Sequence, residues 1–195
     1  MSRVSRRTLL KSLGTTAALL PALSPDGLLA FARIQAGNAA PVLKVLSASG
    51  FRTLEVLVDA IIPTDERSPG AKEARVAEYI DLLLSESDHE IALQWMGGLA
   101  ALDQDAVSRF SLPFVRLDAR QLDAILADIS RNELEPVTPL EQFFVMTKQA
   151  TIRGYYSSEI GIHRELRYKG NQFLQEFVGC ATEDGKDCPH CGQKA

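Results

Sequence analysis

Val76, Tyr79, Ile80, Leu83 and Leu84 recur at i, i+3, i+4, i+7 and i+8. That spacing gathers them on one side of an α-helix but would scatter them over both faces of a strand. Nearly the whole chain repeats the rhythm. Leu54, Leu57, Val58 and Ile61 form a stripe that Pro63 ends. Trp95, Leu99 and Leu102 mark a helix from Asp88 toward Phe110, which Gly97-Gly98 should weaken or bend. Asp118 and Gln121 open another, with Leu122, Ile125, Leu126 and Ile129 as its stripe. Thr138-Pro139-Leu140-Glu141 supplies a capping hydroxyl, a first-turn proline and a reciprocal carboxylate. The helix behind it carries Phe143, Phe144, Thr147 and Ala150 toward Tyr156. No run alternates as a half-buried strand would. The expected fold is all-α: a small bundle of roughly five helices over residues 50–156, neighbours antiparallel across short loops, with an extended C-terminal tail over 157–195.

The two ends differ from this middle. Ser5, Arg6, Arg7, Leu9, Leu10 and Lys11 stand in the pattern of a twin-arginine export signal. A mildly apolar, uncharged stretch from Ser12 to Pro25 follows, well short of the ~20 apolar residues of a membrane span. Ala30-Phe31-Ala32 fits the small-x-small cleavage rule, so residues 1–32 read as a signal segment and the mature chain as starting at Arg33. An uncleaved leader serving as a tether is the alternative. Residues 33–49, rich in small side chains from Gln35 to Ser49, read as a linker or lightly packed arm. The twin-arginine route carries folded proteins, so the signal predicts a periplasmic protein that meets the twin-arginine translocase already folded.

The net charge of −4 becomes more negative once the basic leader is set aside. An acidic surface without basic runs argues against a nucleic-acid partner. Cys180, Cys188 and Cys191, the only cysteines, crowd the last sixteen residues. In an oxidising compartment they are disulfide candidates, and the odd number leaves one free or bridging to another chain. Cys188-Pro189-His190-Cys191 matches the active-site tetrapeptide of disulfide-oxidising thioredoxin-like proteins, but only Gly192–Ala195 follows to form the helix such a site needs. The histidine lies between the cysteines, which excludes c-type haem attachment. With Cys180, three thiols and an imidazole also offer a Cys₃His zinc set, beside the structural disulfide that the cysteines first suggest. A stand-alone exported thiol-redox or zinc-binding protein using Cys180, Cys188 and Cys191 is therefore the alternative to a structural tail.

The other chemistry-bearing residues point away from catalysis. His89 falls at a helix start, His163 lies among Glu159, Arg164 and Glu165, and Asp65 and Glu66 share a turn-rich loop. Each reads as surface. No nucleotide-cradling Gly-x-Gly-x-x-Gly and no Cys-x-x-Cys-His occurs, so the chain is expected to hold no cofactor and to have no catalytic, cofactor-binding or metal residues of its own. The segment from Arg153 to Phe177 concentrates tyrosine and arginine, the residues enriched where a mixed polar and apolar surface meets a partner. Pro63, Thr64, Pro69 and Gly70, with Gly154, Tyr155, Tyr156, Glu159, Gly161, Arg167 and Tyr168, are the predicted interface. The competing reading wraps this tail around its own bundle.

Taken together, the segments resemble the gluconate 2-dehydrogenase subunit 3 family. The likeness is carried by the twin-arginine signal, Leu57-Val58-Asp59-Ala60-Ile61-Ile62-Pro63-Thr64, Ser68-Pro69-Gly70-Ala71 and Val76-Ala77-Glu78-Tyr79-Ile80-Asp81. Further on it rests on Gly154-Tyr155-Tyr156-Ser157-Ser158-Glu159-Ile160-Gly161, Glu165-Leu166-Arg167-Tyr168 and Gly179-Cys180. The resemblance implies a non-catalytic small subunit of a periplasmic sugar, sugar-acid or glucoside dehydrogenase complex, membrane-associated through that complex. It implies a glucose–methanol–choline-type flavoprotein large subunit with FAD, optionally an iron–sulfur cluster, and a cytochrome c subunit with haem c. The small subunit would supply the export signal as a hitchhiker chaperone and support its partner's maturation, with Cys180 as a candidate contact to the large subunit. Relatives act with glucose, gluconate, fructose or glucosides oxidised at C3.

Overall fold

The computed structural model describes residues 22–37, 40–168 and 170. Six α-helices are seen among them: α1 Pro25–Ala36, α2 Ala48–Ile61, α3 Val76–Ser85, α4 His89–Phe110, α5 Ala119–Ile129 and α6 Pro139–Tyr156. A 3-10 turn at Phe114–Arg116 and a π-helical turn at Ile160–Glu165 complete the order, with no strand among the described residues. The all-α expectation holds. Among these residues no helix is long and apolar enough to cross a membrane.

The predicted starts are where the caps put them. Asp118 and Gln121 close a reciprocal capping box on α5, and Thr138 and Glu141 close another on α6 with Pro139 in the first turn. Ser47 caps α2 by accepting from the Gly50 N–H at 3.1 Å, so that helix begins two residues before the expected boundary at 50.

The stripe on α3 is only part of what that helix buries. Val76, Ala77, Tyr79 and every residue from Ile80 to Leu84 are buried, because α1, α2, α4 and α6 pack around it. Full burial of one such aliphatic side chain stabilises by about 1.5–3 kcal/mol. Close approach to α3 is made possible by Gly154 on α6, where a Cβ would lie 2.7 Å from the Tyr79 ring. Gly98 does the same for α4 and α6, since a Cβ there would sit 2.1 Å from the Phe143 ring. Phe143 in turn meets Trp95 edge-to-face at 5.6 Å. The expected weakening at Gly97-Gly98 therefore gives way to an unbroken α4 that uses Gly98 as a seat for an aromatic ring.

Two boundaries change. The segment assigned to the leader's end and a lightly packed arm is structural. Within α1, Phe31 is only 1% exposed and packs edge-to-face on Tyr79 at 5.1 Å. Beyond it, the chain is held by Asp81, a buried carboxylate on α3 that accepts from the backbone N–H groups of Lys44 (2.6 Å), Val45 (3.1 Å) and Leu46 (2.8 Å). Three donors on one side chain turn a run of small residues into a fixed strap. The start of the tail is likewise not extended. Ser158 is fully buried and Ile160–Glu165 coil into the π-helical turn against the end of α6.

Candidate docking surface

Between α2 and α3 the chain makes the Pro63–Gly70 loop, and its own polar groups fix its shape. Asp65 accepts from the N–H of Ser68 (2.9 Å) and of Arg67 (2.7 Å), and these bonds, Ser68's foremost, hold its carboxyl below the usual range. Thr64 Oγ1 accepts from the Gly70 N–H at 2.8 Å and donates to Glu73 at 3.0 Å. Gly70 is required here, since a Cβ would fall 2.6 Å from the Thr64 nitrogen.

This loop is joined to the end of α6. Tyr155 Oη donates to the Pro69 carbonyl at 2.8 Å and lies 2.8 Å from Ser68 Oγ. A phenol has one proton, so Ser68 is the donor of the second pair. Burial, the largest influence on Tyr155, pushes its pKa up and keeps that proton in place. Just beyond, Ser158 Oγ donates to the Tyr155 carbonyl at 2.6 Å and accepts from the Gly161 N–H at 2.9 Å. Gly161 comes so near that a Cβ would stand 2.0 Å from that same carbonyl.

The two segments predicted as an interface are thus brought together, but by contacts within the chain. Gly70, Gly154, Tyr155 and Gly161 are buried, which removes them from any direct meeting with a partner and makes them the supports of the surface. Pro63, Thr64, Tyr156, Glu159, Arg167 and Tyr168 are exposed, and Pro69 is half-buried. The residue reading missed Ser68 and Ser158, the two buried hydroxyls that fasten the supports; Asp65-x-x-Ser68 was a turn signature that could have pointed to the first.

A cleft of about 220 Å³ opens beside this rim, where Ile160 joins the polar side chains of Gln35, Glu73, Arg75, Glu159, His163 and Arg164. Gln35 comes from α1 and accepts the Glu159 N–H at 3.4 Å, so the cleft needs the helix absent from the sequence reading. Arg75 stands at its base in a left-handed conformation, φ 57°, and donates to the carbonyls of Ile34 (2.5 Å) and Gly37 (2.6 Å) and to Glu78 (2.7 Å). On α2, half-buried Asp59 has its carboxyl raised by burial first and by Glu73 second, and Glu55 by burial and then by Glu78. The cleft itself carries both signs, Glu73 and Glu159 beside Arg75 and Arg164. His89 and His163 are both exposed, as expected. Among the described residues no three His, Cys, Asp or Glu side chains converge as a metal site. The export residues Ser5, Arg6, Arg7, Leu9, Leu10 and Lys11 and the cysteines Cys180, Cys188 and Cys191 lie outside the described residues.

Neither the curated proteins nor the solved structures yield a match to the chain. The family profile described as Gluconate 2-dehydrogenase subunit 3 matches residues 48–173, a span that takes in α2 to α6, the Pro63–Gly70 loop and the π-helical turn. That match covers well over half of the sequence and every element that builds the rim except α1, and with it the chain belongs to the gluconate 2-dehydrogenase subunit 3 family.

Proposed function

We propose that this chain is the non-catalytic small subunit of an exported FAD-dependent sugar or sugar-acid dehydrogenase complex. The observation that carries the reading is the family match over 48–173, since the family is that of a dehydrogenase-complex subunit. In this reading the partner is a glucose–methanol–choline-type flavoprotein, which holds the FAD and performs the oxidation, and a cytochrome c subunit takes the electrons onward. The chain's own part is to bind the flavoprotein through the exposed rim of Thr64, Tyr156, Glu159, Arg167 and Tyr168, and to lend it the twin-arginine signal at Arg6-Arg7.

The rim suits this role physically. Tyrosine and arginine bury large mixed surfaces at a modest entropy cost. Their supports, Tyr155 and Ser158, are locked by hydrogen bonds before any partner arrives, which lowers the cost of ordering on association.

The test is co-expression of the flavoprotein with and without this chain. The expected result is a complex that co-purifies and a periplasmic dehydrogenase activity that depends on the chain. Equal periplasmic activity in both cases would end the proposal. Arg6→Lys with Arg7→Lys should hold both proteins in the cytoplasm, and continued export of the flavoprotein would show that it travels by its own signal.

A further inference from the structure

The small-x-small sequence Ala30-Phe31-Ala32 predicts removal of the leader after Ala32, yet those three residues lie inside helix α1 (Pro25–Ala36). Phe31 is 1% exposed, wedged against Tyr79 of the most deeply buried helix. Upstream, Leu23 is buried, and Ser24 makes two bonds to Glu86 at the end of α3, through its N–H (2.8 Å) and its hydroxyl (2.9 Å). The same hydroxyl caps α1 by accepting from the Gly27 N–H at 3.0 Å. A Cβ on Gly27 would lie 2.4 Å from the Glu86 carboxylate, so the glycine is what lets that carboxylate reach the cap. Downstream, Gln35 donates to the Ala74 carbonyl at 3.3 Å, and the last turn of α1 is bound by Arg75 through the Ile34 and Gly37 carbonyls.

We infer that helix α1, with its cap Ser24 and the buried Leu23, is a permanent part of the mature protein and that the bond after Ala32 is not where the leader is removed. The inference rests on the export reading only in calling residues 1–22 a leader. A protease must draw several residues into an extended strand across its active site. A bond in the middle of a packed helix offers that conformation only after local unfolding. The twin-arginine route delivers its cargo folded, so a processing enzyme on the far side would meet Ala32 already helical, with Phe31 in the core. Cutting there would also take Phe31 and the Ser24 cap out of the protein. Any processed bond lies at or before the peptide joining Ala22 to Leu23.

The experiment is intact-mass and N-terminal analysis of the chain purified from the periplasmic fraction with its partner. A first residue at or before Leu23 is expected, including an uncut chain. A first residue anywhere from Ser24 to Gly37, Arg33 above all, overturns the inference. Should the chain be found only in the cytoplasm, the export reading fails, and the helix is judged separately by thermal melting of the full chain. Phe31→Ala and Glu86→Gln should then each lower the melting temperature, Phe31→Ala the more. Melting of Phe31→Ala at the wild-type temperature overturns the inference even if export is confirmed.

Discussion

Two neighbouring glycines on α4 make opposite demands. Gly97 has nothing within 4 Å of where a Cβ would stand, so Gly97→Ala should stabilise by up to about 1 kcal/mol through helix propensity alone. Gly98 faces the Phe143 ring, so Gly98→Ala should destabilise by about 1–3 kcal/mol despite the same propensity gain. Thermal melts of the two variants check the sign, and stabilisation at both positions would show that Phe143 is free to retreat. Tyr155→Phe isolates a hydroxyl. It should cost about 1–3 kcal/mol, because Ser68 and the Pro69 carbonyl lose a buried partner while the ring keeps its packing. Denaturant unfolding at unchanged slope is the measurement. The sequence named Tyr155, Gly154 and Gly161 as notable but placed them on the outside. A tyrosine in a polar run reads alike whether its hydroxyl meets a partner or its own chain's loop, and only the fold shows which.

At the scale of elements, α2 to α6 were legible from their apolar period, and in α5 and α6 the capping chemistry agrees with it, whereas α3 and α4 begin without a side-chain cap. Helix α6 shows the agreement physically. Glu141 accepts from the N–H groups of Thr138 and Val137, both at 2.8 Å, and from the Asn132 amide at 2.7 Å. These bonds, the Thr138 N–H foremost, hold its carboxyl below the usual glutamate range. The depressed folded value fixes the sign. The stability Glu141 contributes is complete above the ordinary glutamate pKa near about 4.3 and is lost as pH falls through the lower folded value. The wild type should therefore lose melting temperature more steeply than Glu141→Gln on acidification from about pH 6 to 3, and parallel slopes would exclude the carboxylate from α6's start. Helix α1 was illegible for a local reason. Its Ala30-Phe31-Ala32 satisfies the description of a signal peptide's end as well as that of a short packed helix, and the Tyr79 and Arg75 contacts that decide the matter come from about forty to fifty residues away. The π-helical turn was hidden in the same way, since Ser158 and Gly161 close it through groups no periodicity reveals.

For the molecule as a whole, the division of the surface matters more than any single bond. Tyr156 is 40% exposed and Tyr168 50%, so both can contribute to an assembly without being needed in the core. Replacing both by alanine should lower the chain's own stability by no more than about 1–2 kcal/mol, part of it the edge-to-face contact of Tyr156 with Tyr155. The same change should weaken flavoprotein co-purification by at least about tenfold, the effect of one interface hot spot. Undiminished capture would move the interface elsewhere on the molecule. The pairing of Ser68 with Tyr155 spans 87 positions of sequence. A ribosome must therefore have delivered the chain through Tyr155 before the Pro63–Gly70 loop, already bent by its own Asp65 and Thr64 bonds, is fastened to the end of α6. On the proposed function, a half-synthesised copy, or one clipped ahead of Tyr155, would have no finished face to show a flavoprotein.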